Sequence, residues 1–136
     1  MKEMNKTCNH IGLFSDDPQE LIPFYEEMLG FERGETKLLP AEVTEKIFGI
    51  NSRCSLIKLV FGRVVLEVFS LEDKELEKRP SVTKGYNHWG LAVKDRASFV
   101  SVLEKRGIPI IRVENRGRHV VFIRDPESNL IEIFEA

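Results

Sequence analysis

The chain has 136 residues, which suffices for one domain or for two small halves that share a core. Hydrophobic residues make up 42% of the sequence and charged residues 31%, as in ordinary soluble globular proteins, so disordered, collagen-like and coiled-coil classes are excluded. The 20 basic and 22 acidic residues give a net charge of −2 without a long run of like charge, which predicts a small-molecule partner rather than nucleic acid or a membrane surface.

The first predicted strand begins with a motif that returns in the second half of the chain. Residues 9–13 read Asn-His-Ile-Gly-Leu and residues 87–91 read Asn-His-Trp-Gly-Leu. Because side chains alternate across a strand, His10 shares a face with Gly12, and His88 shares a face with Gly90 and Ala92. Such small residues leave room beside an imidazole. The pattern predicts a cavity next to each histidine.

Each copy of the motif is followed by a segment with helical spacing. The apolar positions are Leu21, Phe24, Tyr25 and Met28 in the first segment and Phe99, Val102 and Leu103 in the second. Asp17 and Asp95 stand where the helices should begin, and Gly30 and Gly107 suit their left-handed ends. Pro23 removes a backbone donor and should bend the first helix.

The remaining segments complete two similar halves. Strands are predicted over residues 55–61, 63–70, 108–113 and 119–124, with a further apolar segment around residues 131–134. The sequence of residues 40–49 indicates an added short helix in the first half. The charged stretch 72–84, which contains Pro80, is typical of a linker. We therefore expect the α+β class, in a single domain with βαβββ modules at about residues 6–71 and 85–136.

One acid lies in the last strand of each half. Glu67 and Glu132 are both flanked by branched apolar residues, and an ionised carboxylate on a buried strand is costly unless it is paired or bound to a metal. A lone strand His or Glu is usually a core or solvent-facing residue, but these residues recur at matched positions. If the halves form one concave mixed sheet about a pseudo-two-fold axis, His10, Glu67, His88 and Glu132 would converge. Such a set suits a divalent transition metal.

With these features, the sequence resembles the vicinal oxygen chelate (glyoxalase/bleomycin resistance/dioxygenase) superfamily over nearly its whole length. The motifs that carry the resemblance are residues 9–12, 24–25, 29–31, 66–68, 87–93 and 124–132. The family has a paired βαβββ fold and includes glyoxalase I, methylmalonyl-CoA epimerase, extradiol dioxygenases and fosfomycin-resistance proteins. The resemblance implies that two neighbouring substrate oxygens bind a metal ion that acts as a Lewis acid.

Ligand identity distinguishes reactions within this family. Extradiol dioxygenases and fosfomycin-resistance enzymes typically use two His and one Glu and leave the position of Glu67 unused, whereas methylmalonyl-CoA epimerases typically place Gln there. Bacterial glyoxalase I has Glu, and His10, Glu67, His88 and Glu132 match its set. The resemblance therefore implies a metal-dependent lyase or isomerase of the glyoxalase I (lactoylglutathione lyase) type. Its divalent ion would be nickel, zinc or cobalt, with manganese and iron as alternatives.

The glyoxalase I reaction implies roles for both glutamates. A metal-bound hemithioacetal loses a carbon-bound proton to a glutamate, passes through an enediolate, and regains a proton at the neighbouring carbon. By resemblance Glu132 is the base and Glu67 is the opposing acid–base partner. A carboxylate that shares a cation has lowered basicity, so it would have to loosen from the metal to accept the proton.

Two positions depart from the glyoxalase I pattern. The family usually carries Arg four residues after the first His and Asn four residues after the first Glu, both for glutathione, but this chain has Phe14 and Leu71 there. The added helix at 40–49 would also alter one wall of the cleft. Another aldehyde adduct, a coenzyme A thioester or an oxo-acid remains open as the substrate. So do an epimerase-like, a dioxygenase-like and a non-catalytic, ligand-sequestering relative.

A basic turn, residues 116–119, enters the strand before the one that carries Glu132. Its ordinary interpretation is a solvated hairpin turn. A substrate with an anionic tail would need a cation beyond the metal, and arginine can hold an anion through two hydrogen bonds. We therefore predict that Arg116 or Arg118 contacts such a tail.

The expected location is the cytoplasm. No apolar run approaches the roughly 18 residues of a membrane span, and no apolar signal-peptide core follows the N-terminus. Cys8 and Cys54 are too few for a disulfide framework and are expected to stay reduced. The expected partners are a small molecule with adjacent oxygens and a second copy of the chain in a homodimer.

Overall fold

The computed structural model describes residues 6–80 and 82–136. Residues 1–5 at the N-terminus, and Ser81 of the predicted linker, lie outside the described residues. Within the described part, the elements in chain order are β1 (Ile11–Phe14), α1 (Pro18–Leu29), β2 (Glu32–Leu39), α2 (Ala41–Phe48), β3 (Cys54–Phe61), β4 (Val64–Leu71), β5 (His88–Val93), α3 (Arg96–Lys105), β6 (Ile111–Asn115), β7 (Arg118–Arg124) and β8 (Leu130–Glu135).

The chain folds as two compact units, Met1–Glu77 and Lys78–Ala136. In unit 1 the strand order is β1-β4-β3-β2, with β1 parallel to β4 and the other neighbours antiparallel. Unit 2 has the order β5-β8-β7-β6 and the same pattern of directions. This duplication confirms the predicted α+β class with two βαβββ modules.

In each unit the apolar core lies on one face of the sheet. Leu66 and Val68 of β4 are fully buried, as are Ile131 and Ile133 of β8. The buried residues of the helices are Leu21, Ile22, Phe24, Tyr25 and Leu29 in α1 and Val100 and Leu103 in α3. Because side chains alternate along a strand, the acid between the two buried residues of β4 or β8 lies on the opposite face of its sheet.

Both predicted helix starts are confirmed. Asp17 accepts a hydrogen bond at Oδ1 from the backbone N–H of Glu20 at 3.2 Å, and Asp95 accepts one from the N–H of Ser98 at 3.1 Å. These caps satisfy amide groups that have no partner inside the helix. The first helix ends at Gly30, where φ is 78° and only glycine is free of strain.

The strands differ most from the sequence prediction at β6 and β2, and the limits of the others agree within one residue. β6 begins at Ile111 rather than at residue 108, because Pro109 has no N–H to contribute to a sheet ladder. β2 is exposed at every position but Leu39 and has no apolar alternation, so its sequence does not mark it as a strand. It is defined instead by antiparallel pairing with β3.

The predicted linker is partly fastened to unit 1. The backbone N–H of Leu76 donates to the Asp16 carboxylate at 3.2 Å, and the N–H of Glu72 donates to the Arg53 carbonyl at 2.9 Å. The boundary between the two compact units accordingly lies after Glu77, inside the predicted linker. None of the described helices is long and apolar enough to cross a membrane.

Candidate metal centre

The two halves place a histidine and a glutamate in the same strand register. In unit 1, Gly12 of β1 is paired with Glu67 of β4, and His10 stands two positions before that glycine. In unit 2, Gly90 of β5 is paired with Glu132 of β8, and the histidine again stands two positions earlier. Since the glycine has no side chain, the glutamate side chain can extend over it toward the imidazole. The duplicated register therefore brings one His and one Glu together in each unit.

The side chains of each pair are in contact. His10 Nε2 lies 2.9 Å from Glu67 Oε1, and His88 Nε2 lies 3.5 Å from Glu132 Oε2. The carboxylates are the more buried partners, with side-chain exposures of 13% for Glu67 and 27% for Glu132, against 47% and 35% for the two histidines. Each pair thus combines a sheltered carboxylate with a more accessible imidazole.

The asparagine before each histidine sets the orientation of its ring. Asn9 Oδ1 lies 2.9 Å from His10 Nδ1, and Asn87 Oδ1 contacts His88 Nδ1 in the same way. When the ring N–H at Nδ1 donates to the asparagine oxygen, Nε2 is the nitrogen that faces the carboxylate. An imidazole nitrogen and a carboxylate oxygen so placed can bind one metal ion together.

The sequence analysis did not identify this role of Asn9 and Asn87. The signal was present, because both asparagines belong to the repeated motif. Metal-bound histidines commonly donate their second ring N–H to an oxygen acceptor in this manner. The Asn-His-Glu arrangement in each unit is therefore compatible with metal ligation.

The space beside the two histidines is not equal. A Cβ added to Gly90, which is exposed, would meet nothing within 4 Å. A Cβ added to Gly12 would lie 3.2 Å from Cε2 of Phe69, so the ring fills the room predicted there. The space beside Gly12 is thus occupied by an aromatic ring, whereas the space beside Gly90 is open; a cavity beside each histidine stays a prediction.

The predicted extra helix, α2, adds an aromatic wall to the glutamate-bearing face of unit 1. The ring centroid of Phe48 lies 4.9 Å from that of Phe14 and 5.1 Å from that of Phe69, both in edge-on geometry. Phe14 is the residue at the position where the family pattern has an arginine for glutathione. This wall offers apolar contact where a glutathione site would offer a cation.

The residue across the sheet from the glutamate differs between the units. In unit 1, Lys58 of β3 is paired with Glu67. In unit 2, Phe122 of β7 is paired with Glu132, and its ring centroid is 5.2 Å from that of His88. The two pairs therefore have the same ligand chemistry but different surroundings, one with an added positive charge and one with an aromatic ring.

The basic turn lies at the end of the β6–β7 hairpin. Arg116 and Gly117 have φ values of 52° and 78° and form its two-residue turn, and Arg118 begins β7. Arg118, Phe122 and Glu132 lie on one face of the sheet, since Phe122 and Glu132 are paired and Arg118 is an even number of residues from Phe122. Both arginines are exposed. Their contact with a substrate tail stays a prediction.

The four predicted ligands occur as two pairs, one in each unit. Within residues 6–80 and 82–136, no group of three or more His, Cys, Asp and Glu side chains is placed to hold a metal ion. Each pair supplies one nitrogen and one oxygen donor. Structural and catalytic zinc sites usually have three or four protein ligands, so one pair alone makes an incomplete site.

Comparison with known proteins agrees with the fold. The model of the Glyoxalase/Bleomycin resistance protein/Dioxygenase superfamily matches residues 7–133. No curated protein sequence matches the chain.

 

The chain is similar in structure to trypanothione-dependent glyoxalase I of Leishmania major, with 21% identity, a TM-score of 0.71, and coverage of 96% of this chain and 87% of that chain. It is similar to a glyoxalase family protein from Bacillus cereus, with 19% identity, a TM-score of 0.75, and coverage of 98% and 97%. It is also similar to lactoylglutathione lyase from Agrobacterium tumefaciens, with 22% identity, a TM-score of 0.65, and coverage of 97% and 95%. These identities support the fold alone, whereas the family model spans most of the sequence. The chain belongs to the Glyoxalase/Bleomycin resistance protein/Dioxygenase superfamily.

Proposed function

We propose that the protein is a divalent-metal-dependent lyase or isomerase of the glyoxalase I type, in which His10, Glu67, His88 and Glu132 bind one metal ion. The observation that carries this proposal is the Asn-His-Glu arrangement, present in both units with the same strand register. A structural role for a single pair would not require its repetition. Repetition is expected when both units contribute to one site.

The donor atoms fit a metal ion. Each unit brings an imidazole nitrogen and a carboxylate oxygen close together, at 2.9 Å in unit 1 and 3.5 Å in unit 2, so His10, Glu67, His88 and Glu132 would hold the ion. Two imidazole nitrogens and two carboxylate oxygens suit nickel, zinc or cobalt, with manganese and iron as alternatives. A bound divalent ion would polarise neighbouring substrate oxygens as a Lewis acid.

The two glutamates have different proposed roles in proton transfer. Glu132 accepts the proton from a substrate carbon next to a carbonyl group, and a proton returns to the neighbouring carbon with Glu67 as the opposing acid–base partner. The net reaction is an isomerisation, so no oxidant or reductant is consumed. The assignment of the base follows the resemblance to glyoxalase I.

The aromatic wall supports a substrate other than a glutathione adduct. Phe14, Phe48 and Phe69 are in mutual ring contact and offer no hydrogen-bond donor to a glutathione carboxylate. Leu71, at the other departing position, is also apolar and ends β4. A hemithioacetal of another thiol, or a coenzyme A thioester, would meet this wall with an apolar part.

Elemental analysis of the purified protein tests the metal site. We expect one divalent ion per set of four ligands in the wild type and loss of that ion in the double variant His88→Ala/Glu132→Ala. The matched control is His119→Ala/Glu114→Ala, a cross-strand His and Glu pair on the β6–β7 hairpin of the same unit. Full occupancy in the first double variant would place the metal elsewhere.

The reaction is tested with the metal-loaded protein. Hemithioacetals formed from methylglyoxal with glutathione and with other thiols are compared with methylmalonyl-CoA under the same conditions. We expect turnover of a hemithioacetal, and epimerisation of methylmalonyl-CoA would instead favour the epimerase alternative. Tight binding of these compounds without turnover by the metal-loaded protein would indicate a ligand-sequestering function.

A further inference from the structure

Lys58 lies beside Glu67 on the site face of unit 1. The two residues are directly paired across β3 and β4, so their side chains project from the same face of the sheet. Glu67 Oε1 is in turn 2.9 Å from His10 Nε2. The strand register thus places a lysine next to one of the candidate metal-binding pairs.

Lys58 faces the Glu67 carboxylate across the sheet but does not form an ion pair with it. Its neighbours on the same face of β3 are Leu56 and Val60, and a Cβ at Gly34 of β2 would lie 3.6 Å from Lys58 Cβ, an ordinary contact distance. In the described part of the chain, Lys58 has no hydrogen bond or ion pair. By contrast, Lys37, on the next strand, has Nζ 3.8 Å from Glu35 Oε1. Lys58 is only partly buried, so its stem can pack against the sheet while its ammonium group stays accessible to a bound anion.

The duplication shows that the fold does not require a lysine here. The equivalent residue in unit 2 is Phe122, paired with Glu132 in the same way. Its ring packs edge-on to His88 with centroids 5.2 Å apart. Packing of the sheet therefore accepts an aromatic residue at this position, and packing alone does not account for the lysine in unit 1.

The geometry points to Lys58 as the residue that binds an oxyanion group of the substrate, a carboxylate or a phosphonate, next to the His10–Glu67 pair. This inference rests on the proposed function, because it assumes that the substrate is held at that pair. The ammonium group has three donors and a concentrated charge, which suits an oxyanion whose direction of approach is not fixed. The aromatic wall at Phe14, Phe48 and Phe69 would then receive the uncharged part of the molecule. The substrate class is an anionic molecule with adjacent oxygens and an apolar portion.

Calorimetric titration of the zinc-loaded protein tests this inference with three probes. They are 2-oxobutanoate, acetylphosphonate and the uncharged 2,3-pentanedione, which all present adjacent oxygens. We expect Lys58→Met to weaken the binding of at least one anionic probe by about tenfold or more, since a charge-assisted hydrogen bond is lost. Binding of the dione should not change, and Lys58→Arg should retain most of the anion affinity. The probe that loses more affinity identifies the oxyanion as carboxylate or phosphonate.

Lys37→Met is the matched control, because it removes a lysine from the same sheet without touching the candidate pair. Thermal unfolding of each variant shows whether it remains folded. The inference would be overturned if Lys58→Met bound the anionic probes as tightly as the wild type, or if it lost as much affinity for the dione as for the anions. In either case, zinc binding by the wild type would still support the proposed function. If the wild type binds no zinc, the proposed function fails. The same titrations of the metal-free protein then decide the anion site by whether binding depends on Lys58.

Discussion

Each candidate histidine is oriented by the asparagine that precedes it. Asn9 and Asn87 accept from Nδ1 of His10 and His88, so the Nε2 atoms face Glu67 and Glu132. An imidazole held in this tautomer is ready to bind a cation without a change of ring orientation. The preorganisation comes from neighbouring residues in the sequence and from strand register.

Replacing Asn87 by Ala should weaken zinc binding by about 10- to 100-fold, because His88 loses the acceptor that fixes its tautomer. Competition with a chromogenic chelator measures the affinity. Asn115→Ala, at an exposed position of β6 in the same unit, is the control. Wild-type zinc affinity in Asn87→Ala would show that the asparagine contact does not support metal binding.

Replacing Glu132 by Gln should lower kcat by about 10²- to 10⁴-fold, because a general base acts in the transition state. Substrate affinity should fall much less, which separates a proton-transfer role from a role in binding. Steady-state kinetics measure both terms, and metal content must equal that of the wild type for the comparison to count. Unchanged kcat with metal bound would remove Glu132 from proton transfer.

Cys54 and Cys8 should differ in reactivity. Burial raises the pKa of the Cys54 thiol, and a weaker opposing effect comes from its hydrogen bond with the Ser70 backbone. A raised pKa leaves less thiolate at neutral pH, and the side chain is also inaccessible. Iodoacetamide should therefore modify exposed Cys8 first and Cys54 only after unfolding, as peptide mass analysis would show. Equal modification rates in the folded protein would contradict this.

At the level of secondary structure, the capped helix α3 depends on an ionised side chain. Hydrogen bonds from the Ser98 hydroxyl and then from the Ser98 N–H lower the pKa of Asp95. A carboxyl with a lowered folded-state pKa contributes stability above its unfolded pKa, and this contribution is lost as the pH falls through the folded value. The relevant window therefore lies below about pH 4.

Asp95→Ala should accordingly lower Tm at pH 7, because the cap of α3 is lost. The difference in Tm from the wild type should shrink as the pH falls below about 4, where the wild-type carboxyl becomes protonated. Thermal unfolding followed by circular dichroism at several pH values measures the difference. A difference that stays constant down to pH 2 would show that the charge of Asp95 does not matter to the cap.

The sequence was sufficient to predict the helices and the repeated strands, because caps, glycines and apolar spacing are local signals. It did not mark β2, whose residues are polar on both faces, and its partner β3 defines that strand. It also missed Lys58, since the residue that faces Glu67 across the sheet follows from strand register. Cross-strand neighbours are distant in sequence, and only the paired sheet shows them.

At the scale of the whole molecule, duplication divides the candidate ligands equally. Each unit holds one histidine and one glutamate in contact, and the usual metal site needs more ligands than either unit supplies. The proposed site therefore requires two units. They can belong to one chain or to two chains of a homodimer, and the two cases make different predictions.

Mixing two defective chains separates these cases. His10→Ala damages the pair of unit 1, and His88→Ala damages that of unit 2, so neither protein alone should bind zinc tightly. If a site takes its two units from different chains, refolding an equal mixture forms some dimers in which one site has both intact pairs. Zinc content and activity should then recover to about a quarter of the wild-type value, because about half of the dimers are mixed and each has one intact site of two. If each site lies within one chain, every chain keeps its defect and mixing restores nothing. The control mixture, in which both chains carry His10→Ala, should stay inactive in either case, and any recovery there would show that His10 is not a ligand.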